Sequence, residues 1–142
     1  MGKPREIMDK VTDAIVEERD LDAAVSLYTD DAMIITPDAG ELRGRHRIAE
    51  YWRPYIEAFP DGRYEVLRKH EAGDCAIDEG WLVATHDGPF RLPDGQVIEP
   101  TGRQVRIRSC DIATVVGDKI REHHTYFDQM EFLTQLGLAP AQ

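Results

Sequence analysis

The sequence predicts an α+β fold in which helices pack on one face of a curved antiparallel sheet. Three observations lead there. Apolar residues recur at helical spacing before residue 60, residues 63–126 read as four long strands joined by turns, and a last short helix lies between a cap and a glycine. With 142 residues, 42% of them hydrophobic, the chain is expected to form a single domain over residues 1–142, long enough to bury a sizeable core.

The elements follow in order. Ile7, Met8, Val11, Ala14 and Ile15 place a first helix at residues 4–18. Asp20 reads as the N-cap of a short helix at 21–28. Residues 32–36 form a strand closed by the turn Pro37-Asp38-Ala39-Gly40, and residues 41–43 pair back. A third helix covers residues 46–59. Its apolar stripe is Ile48, Trp52, Tyr55, Ile56 and Phe59, with Tyr51 beside it, and Pro54 is expected to kink or shorten it. After the turn Pro60-Asp61-Gly62 come strands at 63–72, 75–85 and 105–116. Residues 87–102 hold three glycines and three prolines and read as a long hairpin connection. The last strand spans 119–126. Asp128 and Glu131 have capping-box spacing for a final helix at 129–136, ended by Gly137.

Charge and cysteine usage exclude several classes. A net charge of −10 argues against nucleic acid and against anionic membranes as partners. Cys75 and Cys110 give no disulfide framework and fit a reducing, cytoplasmic setting. Residues 1–6 have no apolar run to act as a signal, and Glu6 stands where a myristoylation signal needs Ser or Thr. No stretch approaches the roughly 20 apolar residues of a membrane span.

The chemistry concentrates in the C-terminal third. On alternate positions Val105, Ile107, Ser109, Asp111, Ala113 and Val115 share a strand face that is apolar except at its middle. A carboxylate in such a row is paired, protonated or at work, because burying an unpaired charge is expensive. Partners lie across the Gly117-Asp118 turn, where His123 and His124 occupy opposite faces of the next strand. A two-residue loop sets Asp111 opposite His124, and a three-residue loop sets it opposite His123. An Asp–His pair can relay a proton near neutral pH, the aspartate fixing the imidazole tautomer; the plain alternative is a buried structural pair. Two adjacent strand histidines cannot ligate one ion together, and there is no His-x-His or Cys-x-x-Cys, so no metal is expected. No glycine-rich phosphate loop or nucleophile elbow occurs either. His86, at a strand end beside a Gly-Pro turn, is either a pocket-rim or a turn-stabilising side chain. Tyr51, Trp52, Tyr55 and Trp81 are core residues or the walls of a pocket for a flat ligand.

Several ordered motifs span nearly the whole chain. They are Asp20-Leu21-Asp22-Ala23 leading to Tyr28-Thr29-Asp30-Asp31-Ala32, then Leu42-Arg43-Gly44-Arg45, then Thr85-His86-Asp87-Gly88-Pro89-Phe90. Pro100-Thr101-Gly102-Arg103, Asp111, Lys119-Ile120-Arg121-Glu122-His123 and Tyr126-Phe127-Asp128 before Gln135-Leu136-Gly137 complete the set. Together they resemble the NTF2-like superfamily of cone-shaped α+β barrels, and within it the SnoaL-like polyketide cyclase group, whose members are often called ester cyclases. The resemblance implies N-terminal helices enclosing a conical pocket, a homodimer, and an acidic residue that serves an intramolecular aldol closure without metal or cofactor. That acid belongs one residue before Tyr126, where this chain has Thr125, and a threonine cannot titrate near neutral pH. The related ketosteroid isomerases place a base where this chain has Thr36. The resemblance also favours the register that sets Asp111 opposite His123 and Ser109 opposite Thr125.

The expectation is therefore a cofactor-free cytoplasmic enzyme that moves a proton at carbon, by aldol-type cyclisation or isomerisation of an apolar carbonyl metabolite. Asp111 and His123 would be the acid–base pair. Ser109 and Thr125 would donate hydrogen bonds to an enolate oxygen, while Tyr51, Trp81 and His86 would bound the substrate. The alternatives are a non-catalytic binder of a lipophilic small molecule, and a dimeric interaction domain that presents Arg106, Arg108 and Ile112.

Overall fold

The computed structural model describes residues 2–92 and 94–138. The chain runs through α1 (Lys3–Thr12), a π-helical turn (Asp13–Glu17), α2 (Leu21–Val25), β1 (Tyr28–Thr36), β2 (Gly40–Arg43) and α3 (Arg45–Ala58). It continues through β3 (Arg63–Ala72), β4 (Cys75–Thr85), β5 (Phe90–Arg91), β6 (Val97–Ile98), β7 (Gln104–Val116), β8 (Lys119–Phe127) and α4 (Gln129–Gln135). Six strands form one sheet in the order β2-β1-β8-β7-β4-β3, and β5 and β6 form a separate hairpin.

The sheet has the α+β character that the sequence predicts, with two corrections. It is mixed rather than antiparallel, because β1 runs parallel to β8. The chain between them, α3 and three long strands, is ample for the crossover that a parallel pair requires. The sheet is also open, with β2 and β3 at its edges, so it does not close into a barrel. Period-two burial decides its inner face. On β7, Val105, Ile107, Ser109, Ala113 and Val115 are buried, whereas Gln104, Arg106 and Arg108 are exposed.

Local corrections have local causes. The first helix widens into a π turn at Asp13. Tyr28 starts β1 instead of ending the second helix, because its backbone pairs with Ile120 of β8. Pro54 neither stops nor shortens α3, which runs fourteen residues through it. The long connection after β4 holds the β5–β6 hairpin. Asp20 and Asp128 cap α2 and α4 by accepting from Ala23 N–H and Glu131 N–H, both at 3.0 Å.

α1 is fastened to the sheet by charge. The N–H groups of Gly2 and Arg5 donate to the Glu71 carboxylate on β3, which does at long range what an N-cap side chain does locally. Arg5 is 5% exposed, and its Nη2 lies 2.9 Å from Asp9 and 2.6 Å from Asp78 Oδ1 on β4. That Asp78 oxygen has no hydrogen-bond partner, so the contact is a charge contact rather than a directed bond. Burial raises the pKa of Asp78, with Arg5 opposing the shift.

Removing one member of a buried pair strands the other. Arg5→Ala and Asp78→Ala should each cost about 3–5 kcal/mol in urea unfolding, and an apolar replacement of both residues together far less. Single-variant losses under about 1 kcal/mol would show that the pair behaves like an exposed one.

Candidate active site

Strand register sets the site. Val116 pairs with Lys119 across the two-residue Gly117-Asp118 turn, and Val115 pairs with Ile120. Thr114 then pairs with Glu122, leaving Arg121 as an extra residue in β8. Beyond this bulge Ala113 faces His123, Asp111 faces Thr125, and Ser109 faces Phe127. Neither register expected from the sequence is the one found. The bulge turns every later residue of β8 to the other face, so His123 points inward and His124 outward. Asp78 of β4 faces Asp111 from the opposite side, giving one cross-strand row of Asp78, Asp111 and Thr125.

From Asp111 a hydrogen-bonded chain leads out of this row to β8 and β1. His123 Nε2 lies 2.9 Å from Asp111 Oδ1, and His123 Nδ1 lies 2.8 Å from the Tyr28 hydroxyl. The Asp111 side chain is 18% exposed and that of His123 only 4%, so the carboxylate is the end that reaches open space. Tyr28 is fully buried, and burial raises its pKa well above the ordinary phenol value. The Arg45 guanidinium donates twice to the Tyr28 carbonyl, at 2.9 and 2.6 Å, which holds the start of β1 in place.

That open space is a cavity of about 140 Å³ between the sheet and the helices, near the roughly 150 Å³ that accommodates benzene in an engineered apolar cavity. Ile107, Ser109, Asp111, His123 and Thr125 form its floor. Tyr51, Trp52 and Tyr55 of α3 form one wall, and Thr12, Ile15 and Val16 around the π turn form another. The Ser109 and Thr125 hydroxyls line the cavity, and the Tyr64 hydroxyl lies beside Ser109. The wall tyrosine hydroxyls are not free, since Tyr51 donates to Asp38 Oδ1 at 3.0 Å and Tyr55 to Asp38 Oδ2. Burial, reinforced by the Asp38 charge, raises the pKa of both. Arg19 also lines the cavity, but its guanidinium is engaged by the carbonyls of Phe59 and Gly62.

Two residues expected at the site lie elsewhere. Trp81 does not line the cavity. Odd-numbered residues of β4 face outward there, and Trp81 stacks between the guanidinium groups of Arg106 and Arg108 at 4.5 and 4.7 Å. His86 is not at a rim but fully buried beside Phe59 and Phe90. Its Nδ1 accepts from the Thr101 N–H at 3.2 Å, which puts the ring proton on Nε2, a buried atom without a partner. The turn after it clasps the end of α3: Asp87 and Gly88 N–H both donate to the Ala58 carbonyl, and a Cβ at Gly88 would sit 2.1 Å from the Glu57 oxygen. Sequence reasoning missed Tyr28 and Asp38. The sequence places Tyr28 at a helix end, and an aspartate in a Pro-Asp-Ala-Gly turn gives only a turn signal.

Residues 10–123 match the family model of the SnoaL-like domain. No curated protein matches the sequence. Among solved structures, the chain is similar to AclR from Streptomyces galilaeus, named as a hydroxylase, with 22% identity, coverage of 98% of this chain and 87% of that one, and a TM-score of 0.80. It is similar to a protein named as a SnoaL-like polyketide cyclase from Jannaschia sp. CCS1, with 19% identity, coverage of 98% and 94%, and a TM-score of 0.83. IdmH from Streptomyces antibioticus, named as a polyketide cyclase, shares 25% identity over 96% of this chain and 99% of its own, with a TM-score of 0.76.

Burial lowers the pKa of His86 from its ordinary 6.5. The folded protein therefore keeps His86 neutral while the unfolded chain takes up a proton, and this part of the stability is lost as pH falls below about 6.5. The drop in melting temperature between pH 7 and about 5.5 should shrink in His86→Asn, whose amide oxygen can still accept from Thr101. An equal drop in both proteins would remove His86 as its source.

Proposed function

The chain belongs to the SnoaL-like domain family, and on that premise we propose that it is a cofactor-free enzyme moving a proton at the carbon beside a carbonyl in a small apolar metabolite. One observation carries the reading. The family acid position is Thr125, and a carboxylate, Asp111, stands directly across the ladder from it, facing the cavity and hydrogen-bonded to His123. The acid function would thus be moved one strand over, about 5 Å.

In this reading Asp111 and His123 form the acid–base pair. The pair takes a proton from the α-carbon, and the C–H electrons pass into an enolate whose oxygen accepts hydrogen bonds from Ser109 and Thr125. The enolate then either takes the proton back, at the α-carbon or at the far carbon of a conjugated double bond, or attacks a second carbonyl of the same molecule through its α-carbon. In the second case the new alkoxide receives the proton, so nothing is consumed. Tyr51 and the other aromatic side chains hold the flat body of the ligand by apolar contact. The cyclase names of two structural relatives support this reaction class. A cytoplasmic homodimer completes the proposal: both cysteines are free, and homodimers are usual where the resemblance lies. No helix of the described residues is long and apolar enough to cross a membrane.

A non-catalytic binder is the second reading, favoured by the loss of a titratable group at Thr125. An apolar compound that copurifies and is recovered unchanged after long incubation would support it.

The discriminating measurement is deuterium incorporation beside the carbonyl of neutral one-ring ketones, with cyclohexanone as the first probe, followed by proton NMR in heavy water. Wild type should accelerate exchange, and Asp111→Asn should lose about 10²–10⁴-fold while melting normally. Equal rates in the two proteins would end the enzymatic reading.

A further inference from the structure

We infer that His123 does not itself transfer the proton: Tyr28 holds it as the Nε2–H tautomer, a fixed donor to Asp111, and Oδ2 of Asp111 is the proton-accepting atom. The inference rests on the proposed function for its chemistry and on hydrogen-bond accounting for its geometry.

The Tyr28 hydroxyl proton needs an acceptor, because a buried unsatisfied donor is costly. Among the described residues the hydroxyl has one hydrogen-bond partner, His123 Nδ1 at 2.8 Å. The other polar group beside it is the Trp52 indole N–H, which is buried, lacks a hydrogen-bond partner and can only donate. The Tyr28 proton therefore points at Nδ1, which must present its lone pair. A neutral imidazole with a lone pair on Nδ1 carries its proton on Nε2, and that proton points at Asp111 Oδ1, 2.9 Å away. Asp111 accepts, so it is the carboxylate.

Both ring nitrogens are then occupied, and the imidazole has no lone pair left for a ligand. Asp111 Oδ2 has no hydrogen-bond partner among the described residues, and its side chain is the more exposed of the two. The carboxylate is thus the catalytic residue, and His123 and Tyr28 are positioning residues. This exchanges the roles usual in an Asp–His pair, in which the imidazole meets the substrate.

Two measurements test the inference. Nitrogen-15 NMR of histidine-labelled wild type near neutral pH should show His123 with Nδ1 bare and Nε2 protonated, and Tyr28→Phe should move the Nδ1 signal. A proton on Nδ1 in wild type, as imidazolium or as the other tautomer, overturns the inference without reference to any activity. The second compares cyclohexanone exchange in His123→Gln and Asp111→Asn. Glutamine cannot carry a proton at neutral pH, yet its oxygen can accept from Tyr28 and its amide can donate to Asp111. His123→Gln should therefore lose less than Asp111→Asn, about tenfold against about 10²–10⁴-fold, and what rate it keeps should follow the wild-type pH profile. If His123→Gln melts like wild type and falls as far, the imidazole is the transferring group and the inference is wrong; if the variant melts early, the tautomer measurement on wild type decides. A wild type that exchanges nothing sinks the proposed function instead, and the tautomer alone then decides whether Tyr28 orders the pair.

Discussion

A single extra residue in β8 decides which side chains meet in the cavity. Arg121 breaks the ladder with β7, and β1 shifts its own pairing at the same level, between Tyr28 and Met33. The two irregularities belong together. Tyr28 pairs with β8 before the bulge and Met33 after it, so the chain reaches His123 from below with a tyrosine and continues along the sheet in step. Had β8 run regularly from the turn, His124 would occupy the inner face and His123 the outer. The motif Leu42-Arg43-Gly44-Arg45 gains a physical meaning here, since Arg45 clamps the carbonyl of Tyr28.

The second constraint is charge. Asp78 and Asp111 face each other on one ladder, an arrangement that like charges disfavour. Each carboxylate has its own partner on the far side, Arg5 for Asp78 and His123 for Asp111. One pair fastens the first helix and the other opens on the cavity, so one polar row serves both the packing of α1 and the cavity floor.

Much of the fold was legible in the sequence because period and punctuation are local. Apolar spacing placed α1 and α3, turn residues separated β3, β4 and β7, and two aspartates marked the caps of α2 and α4. Asp111 was legible for the same reason, as a charge in an apolar row. What was not legible depends on the meeting of distant segments. The parallel pairing of β1 with β8 leaves no mark in either strand, and the bulge at Arg121 has no glycine to announce it. Trp81 was misread because alternation along β4 tells which residues share a face but not which face is inside. Asp38 and Tyr28 were missed because their partners, Tyr51, Tyr55 and His123, lie 13 to 95 residues away.

The two wall tyrosines give their protons to Asp38, so the α3 side of the cavity has no acidic hydrogen to offer a ligand. The acid–base pair proposed above, Asp111 and His123, sits on the floor, along β7 and β8. A planar guest lying between them would meet reagents on its lower surface alone. Removal and return of hydrogen would then be suprafacial, and a new stereocentre would form with a single handedness set by which face of the guest lies against the sheet.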